Sequence, residues 1–137
     1  MPFVVDNSVV SGWYLAKQAT PYTDAVLDKL RHDTAIVPPL WELELVNVGR
    51  TAVKRSTLTD DEARLAVSFV LGLPITVDRA IVPPERVLSL ALTYDLTAYD
   101  AAYLELAMRL KLPIAAKDGD LRDAAEKAGV SLVKASA

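Results

Sequence analysis

The chain has 137 residues, and this length predicts a single domain over residues 1–137. Hydrophobic residues make up 52% of the chain and charged residues 24%, a balance typical of globular rather than disordered proteins. The formal net charge of −3 argues against a polycationic nucleic-acid binder. With no cysteine and one histidine, the sequence excludes thiol chemistry, multi-histidine zinc sites and two-histidine ribonuclease mechanisms.

The N-terminal segment does not have the pattern of a targeting signal. It lacks a basic segment, and Asp6 interrupts it before an apolar run develops. The longest mostly apolar stretch, residues 66–77, is broken by Gly72 and Pro74 and is too short to cross a bilayer. We therefore expect a cytoplasmic protein with no membrane partner.

Short β-rich runs alternate with longer helical patterns along the chain. Periodicity and turn residues predict, in chain order, strand 3–5, helices 8–17 and 22–31, strand 35–37, a helix from the prolines 38–39 to about 55, helix 59–72, strand 74–77, helices 83–94 and 97–110, strand 113–116, helix 121–128 and strand 131–133. A capping-box pattern begins helix 59–72. This alternation predicts an α/β fold with a mostly parallel central sheet of about five short strands, flanked by helices on both faces.

Three aspartates directly follow or closely follow predicted strands: Asp6, Asp78 and Asp118. The carboxyl ends of strands are where ligands collect in an open parallel sheet. Each aspartate alone is better explained as a loop residue or as the N-cap of the next helix. Asp6 and Asp118 together favour a site, because two buried strands would bring two carboxylates to one edge.

Glu44 lies on an apolar helix face with Trp41 and Asn47 as neighbours, at about 100° per residue. Glu42 points about 200° away, and its place in the first turn is explained by the helix dipole alone. Periodicity therefore favours Glu44 as the functional acid, although a buried structural glutamate is an equal alternative.

Asp100 fits a capping box with Thr97, which explains this acid without any chemistry. The alternative is that its carboxylate projects into the same cleft as Asp6 and Glu44.

Four blocks of sequence carry these acids: 4–9 with Asp6, 37–48 with Glu44, 96–104 with Asp100 and 115–121 with Asp118. Together they resemble the PIN-domain ribonucleases, in particular the VapC-like toxins of bacterial and archaeal toxin–antitoxin pairs. In the second block the family has a glutamate three residues before an asparagine, which selects Glu44. The third block is the most specific and selects Asp100.

The last block departs from the family pattern. Ala116 stands where the family often has Thr or Ser, and Lys117 is less usual at its position. Either Asp118 or Asp120 can then be the acid of this block. Asp118 is the first choice because it is nearer the end of the strand.

The resemblance implies a PIN-like fold and a metal-dependent endoribonuclease that hydrolyses RNA phosphodiester bonds. Carboxylates crowded in one cleft need a cation to neutralise them, and oxygen ligands suit Mg²⁺ or Mn²⁺. The implied metal ligands are Asp6 and Asp100, with Glu44 and Asp118 for a second ion or the attacking water, and Asp120 as the alternative to Asp118. Candidate contacts to the RNA are Ser8, Asn47, Arg55 and Lys117.

The resemblance also implies protein partners. The family's toxins are usually dimers neutralised by an antitoxin, so we expect a homodimer and a cognate antitoxin.

Three other functions fit parts of the same sequence. A phospho-receiver domain is one alternative, with Asp78 as acceptor and Lys117 as its lysine. A dehalogenase-like phosphatase with Asp6 as nucleophile is another, although Ser8 replaces its second aspartate. A PIN fold that binds without catalysis is the third.

Overall fold

The computed structural model describes residues 1–117 and 119–135. Its four strands are β1 (Phe3–Val5), β2 (Ala35–Val37), β3 (Ile75–Val77) and β4 (Ile114–Ala115). They form one parallel sheet in the order β3-β2-β1-β4. Phe3 is 2% exposed and Val4 and Val5 are 0% exposed. Since successive side chains of a strand point to opposite faces, both faces of the sheet are covered at β1.

Helices connect the strands and cover the sheet. In the part of the chain that the structure describes they are α1 (Asn7–Val10), α2 (Pro21–Lys29), α3 (Leu40–Lys54), α4 (Asp60–Leu71), α5 (Pro84–Tyr94), α6 (Ala98–Leu110) and α7 (Gly119–Lys127). Helix α3 packs on α4, α5 packs on α6, and α6 contacts both α7 and β1. This arrangement confirms the predicted α/β class with a parallel central sheet.

None of the helices within the described ranges has the length and apolar character needed to cross a membrane.

The strand predicted at 131–133 is reduced to a single bridge. Leu132 pairs with Ile114, and the N–H of Val133 donates to the carbonyl of Ile114 at 2.9 Å. The described chain therefore has four strands and a bridge rather than about five strands. Because β4 is only two residues long, it offers this segment little edge to extend along.

The single helix predicted over 8–17 is wrong. After α1 the chain instead forms two short 3-10 turns, Ser11–Trp13 and Ala16–Gln18. Gly12 lies so close to α2 that a Cβ at this position would stand 2.7 Å from the Thr23 hydroxyl oxygen. The Trp13 indole N–H also donates to the carbonyl of Thr23 at 2.8 Å. Packing on α2 therefore overrides the helical pattern of the sequence here.

The capping box predicted at the start of α4 is confirmed. The Thr59 hydroxyl accepts from the N–H of Glu62 at 3.1 Å, and the Glu62 carboxylate accepts from the N–H of Thr59 at 2.9 Å. Both bonds satisfy N–H groups that the helix itself leaves without partners, which fixes where α4 begins.

Candidate active site

Asp6 is held at the carboxyl end of β1, directly before α1. Its N–H donates to the carbonyl of Ala115, the last residue of β4, at 2.9 Å. The Ser8 hydroxyl donates to Oδ2 of Asp6 at 2.6 Å. The side chain is only 6% exposed. A buried carboxylate is thus fixed at the edge of the sheet where β1 and β4 both end.

Glu44 lies on α3, and a tyrosine of α6 holds its carboxylate at the same end of the sheet. The Tyr103 hydroxyl donates to Oε1 of Glu44 at 2.6 Å. Tyr103 is completely buried, and the backbone of Asn7, the residue after Asp6, is close enough to lower the pKa of its hydroxyl. The Tyr103 hydroxyl therefore connects α3 and α6 beside the two carboxylates.

The electrostatics of these three groups are coupled. Burial raises the pKa of Glu44, the Tyr103 hydrogen bond lowers it, and the negative charge of Asp6 raises it again. Burial raises the pKa of Tyr103, and the nearby carboxylates Glu44 and Asp6 raise it further. Tyr103 therefore remains a donor at neutral pH. Asp6 and Glu44 lie close enough for their charges to repel, and a cation between them would relieve this repulsion.

Glu42 points to a different part of the surface. Both of its carboxylate oxygens accept from Nη2 of Arg79 at 3.0 Å, in an exposed pair. The helical face of Glu44, and not that of Glu42, is therefore turned toward Asp6.

Asp100 stands in the first turn of α6, one turn before Tyr103. The Thr97 hydroxyl accepts from the N–H of Asp100 at 3.1 Å, which is the hydroxyl half of the predicted capping box. This bond uses the backbone of Asp100, so the cap does not depend on its carboxylate. Asp100 and Tyr103 are three residues apart and therefore share a face of α6. That face is turned toward Glu44, because the Tyr103 hydroxyl donates to Glu44.

The last block of predicted site residues is only partly described. Asp118 lies outside the described residues. On one side of it, the N–H of Lys117 donates to the Ser8 hydroxyl at 3.3 Å, beside Asp6. On the other side, Asp120 is exposed in the first turn of α7. Within residues 1–117 and 119–135, no three acidic, histidine or cysteine side chains are grouped closely enough to hold a metal ion.

Asp78 does not join this site. It follows β3, the outer strand, which β2 separates from β1. Its Oδ1 accepts from Nη2 of Arg109 at 3.0 Å, and this bond holds the pKa of Asp78 below its usual value. Arg109 also bonds Glu105, an acid on α6 that is 2% exposed. These acids form a separate ion-pair network that joins the end of β3 to α6.

The predicted RNA contacts other than Ser8 lie near one groove of about 530 Å³. Asn47 and Arg55 line it directly, on the helix that carries Glu44. Lys117 adjoins it, because its Nζ donates to the carbonyl of Gln18 in the opposite wall at 2.8 Å. The groove thus continues from the carboxylates along α3.

Residues 3–127 match the PIN domain family model, and the chain therefore belongs to the PIN domain family. The resemblance carried by the four sequence blocks is confirmed, and the chain is VapC-like. Ribonuclease VapC12 of Mycobacterium tuberculosis is 34% identical over 104 residues, which cover 74% of this chain and 78% of that protein.

Two solved structures share the fold. The crystal structure of PAE2754 from Pyrobaculum aerophilum has a TM-score of 0.68 and 22% identity, covering 90% of this chain and 87% of that chain. The crystal structure of FitAcB from Neisseria gonorrhoeae has a TM-score of 0.57 and 17% identity, covering 98% of both chains.

The topology also bears on the phospho-receiver alternative. Receiver domains have the strand order 2-1-3-4-5, in which strands 2 and 3 lie on opposite sides of strand 1. Here β2 and β3 lie on the same side of β1. In addition, Asp78, the acceptor that this alternative needs, is engaged by Arg109. The receiver alternative is therefore wrong, and membership of the PIN domain family excludes the dehalogenase-like one as well.

Proposed function

We propose that this protein is a metal-dependent endoribonuclease and the toxin of a toxin–antitoxin pair. The observation that carries the proposal is the meeting of Asp6 and Glu44 at the end of β1, with Tyr103 bonded to Glu44. Its relative in Mycobacterium tuberculosis is named a ribonuclease, which supports the same reaction for this chain.

The donor atoms present fit Mg²⁺ or Mn²⁺. Asp6 and Glu44 offer carboxylate oxygens, and the sequence supplies no cysteine and only one histidine. Oxygen-only sites select hard cations rather than zinc. Among the described residues, Asp6 and Glu44 are the two proposed ligands that already lie close together, and Asp100 would have to move toward them when an ion binds. Asp118 or Asp120 would complete the set. When bound, the ion polarises the phosphodiester and makes a water molecule nucleophilic.

The surrounding side chains prepare these carboxylates. Ser8 holds Oδ2 of Asp6 and Tyr103 holds Oε1 of Glu44, so both acids are oriented before RNA arrives. Bonds of this kind fix ligand geometry and make the site preorganised. The acids also repel phosphate, so RNA must be brought in by cations nearby, for which we propose Arg55 and Lys117.

A direct test is a metal titration of RNA cleavage by the wild type, Asp100→Asn and Asp61→Asn. Asp61 is the matched control, because it is also an aspartate in the first turn of a helix and is exposed. We expect Mg²⁺ or Mn²⁺ to restore cleavage of a total RNA pool by the chelated wild type and Asp61→Asn. Asp100→Asn should be slower by about a hundredfold or more, since a metal site supplies several kcal/mol and 1.36 kcal/mol is tenfold in rate.

The Thr97 hydroxyl accepts from the N–H of residue 100, which Asp100→Asn keeps, and circular dichroism establishes that each variant is folded. Equal cleavage by all three proteins would mean that Asp100 only begins the helix. Failure of the metal-loaded wild type to cleave any RNA would contradict the proposed activity.

We also propose a second copy of this chain and a cognate antitoxin as protein partners. Large apolar side chains are exposed on three consecutive helices, for example Leu43 at 75%, Leu65 at 70% and Leu92 at 74%. Contiguous exposed apolar surface marks interaction sites, and two of these helices, α3 and α4, pack side by side. We expect a dimer in size-exclusion chromatography at micromolar concentration, and a strictly monomeric profile would contradict the homodimer.

A further inference from the structure

A polar groove begins one helical turn beyond Glu44. One wall is a stripe of α3, in which Asn47, Thr51 and Arg55 follow Glu44 at intervals of three or four residues and so share its face. Arg55 is the residue just beyond the end of α3 and stands eleven positions after Glu44, which corresponds to about 16 Å along a helix. The opposite wall is the irregular segment 11–18 that follows α1.

That opposite wall is bonded to the residues around Asp6. The Ser11 hydroxyl donates to the carbonyl of Asn7 at 2.9 Å. Lys117 connects the other end of this wall, at Gln18, to the site. Its Nζ donates to the carbonyl of Gln18, and its N–H donates to the hydroxyl of Ser8, the residue that holds Asp6. Hydrogen bonds therefore connect the wall of the groove to the residues around Asp6, and one end of the groove lies beside the candidate active site.

The chemistry of the lining is that of a site for an anionic polar chain. Lys17 and Arg55 supply positive charge, and the side chains between them are mainly amides and hydroxyls. Among the described residues that line the groove there is no acid, although acids outnumber bases in the chain as a whole. The groove between α3 and α4 differs, because it holds an acid, Asp60, and because Arg50 and Lys54, which line it, do not share the helix face of Glu44.

The lining also indicates how such a chain would be held. No aromatic side chain is present among the described lining residues, so bases cannot stack on aromatic rings there. Phosphate contacts to the two cations and hydrogen bonds from Asn47 and Thr51 remain. Bonds to the Watson–Crick edges of bases need unpaired nucleotides, because pairing occupies those edges in a duplex.

We propose that this groove binds single-stranded RNA on one side of the phosphate that is cleaved. Lys17 and Arg55 contact backbone phosphates, and Asn47 and Thr51 bond the nucleotides between them. This inference rests on the proposed ribonuclease function and assigns it a substrate-binding surface.

The experiment measures binding of a fluorescent single-stranded RNA pool by anisotropy in the presence of EDTA, where no metal-dependent cleavage occurs. The variant Lys17→Ala/Arg55→Ala is compared with the wild type and with Lys29→Ala/Arg31→Ala. Lys29 and Arg31 provide the same change of charge at the opposite edge of the sheet, because they precede β2. Circular dichroism establishes that each variant is folded.

We expect the groove variant to bind RNA at least tenfold more weakly at low salt. Its plot of log affinity against log salt should be less steep by about 1.4, because each lost phosphate contact on a single strand contributes about 0.7. The control pair should match the wild type in both quantities. Thr51→Val, which removes one hydroxyl and no charge, should weaken binding without changing the salt slope.

The inference is overturned if the wild type binds no single-stranded RNA, or if the two charge variants lose the same affinity. It is also overturned if poly-glutamate binds as tightly as RNA with the same dependence on Lys17 and Arg55, because the groove would then take an acidic protein segment. Binding in EDTA is independent of cleavage. If the groove binds RNA but the protein cleaves none, only the proposed function is refuted. If the wild type cleaves RNA and the groove variant binds RNA normally, only the role of the groove is refuted.

Discussion

Asp6→Asn is expected to abolish metal-dependent RNA cleavage while the protein remains folded. The side chain is buried at the end of β1, receives the Ser8 hydroxyl and lies close to Glu44. An asparagine keeps the shape and an acceptor oxygen but removes the charge that would attract a cation. We expect a loss of about a thousandfold or more in cleavage rate, measured with RNA at saturating Mn²⁺.

The stability of the same variant provides the control for folding. In the wild type without metal, the charges of Asp6 and Glu44 repel, and removing one of them relieves this cost. The thermal midpoint of Asp6→Asn in EDTA should therefore equal or exceed that of the wild type. Mn²⁺ at a hundredfold excess over Kd should add about 2.7 kcal/mol to the free energy of unfolding of the wild type and so raise its midpoint, and it should raise that of the variant less.

Two results would contradict the assignment of Asp6. Full cleavage by the variant would mean that the carboxylate has no part in the reaction. A variant that unfolds well below the wild type in EDTA would mean that the Asp6 charge stabilises the native structure instead. Asp61→Asn serves as the control in both measurements, because that exposed aspartate lies on α4.

Periodicity gave useful predictions for the features that one helix or strand determines by itself. The apolar face of α3 favoured Glu44 over Glu42, and the structure shows Glu42 bonded to Arg79 on the surface. The capping box at Thr59 placed the start of α4 correctly. Such features depend on neighbours within four residues, which a sequence displays directly.

Features that depend on contacts between elements were missed. The helical pattern over 8–17 gave no sign that Gly12 lies against Thr23, and that contact is made between segments separated in the sequence. Strand order is equally hidden. Asp78 and Asp6 both come after strands, and only the order β3-β2-β1-β4 shows that an intervening strand keeps them apart.

Tyr103 was also missed, although a signal was present. It lies three residues after Asp100 on one helix face, within the sequence block that resembles the family most specifically. An apolar helix position that carries a hydroxyl usually needs a partner when it is buried, and Glu44 is that partner here. The pairing itself joins residues 59 positions apart, which periodicity does not relate.

Glu105→Ala is expected to destabilise the protein by about 3 kcal/mol. Glu105 is 2% exposed, its carboxylate accepts from Nε of Arg109 at 3.0 Å, and it lies 3.3 Å from Nε of Arg86. Removing it leaves these guanidinium groups without a buried partner and opens a cavity. The arginines are partly exposed, so water compensates some of this loss, and the expected value lies at the lower end for a broken buried pair.

The free energy of unfolding in urea, followed by circular dichroism at pH 7, measures this effect. Glu105→Gln keeps an acceptor oxygen and should lose only about 1–2 kcal/mol. Glu126→Ala is the control, because Glu126 is exposed on α7 and its replacement should change stability by less than about 0.5 kcal/mol. Equal losses for Glu105→Ala and Glu126→Ala would show that the ion pairs contribute nothing.

The pH of this measurement matters because Arg109 has a second partner. Its hydrogen bond lowers the pKa of Asp78 below the ordinary value of 3.8. A lowered pKa gives stability that is fully present above the unfolded value and is lost as pH falls through the folded value. At pH 7 Asp78 is ionised in every variant and still holds Arg109, so the difference between the wild type and Glu105→Ala reports the contribution of Glu105.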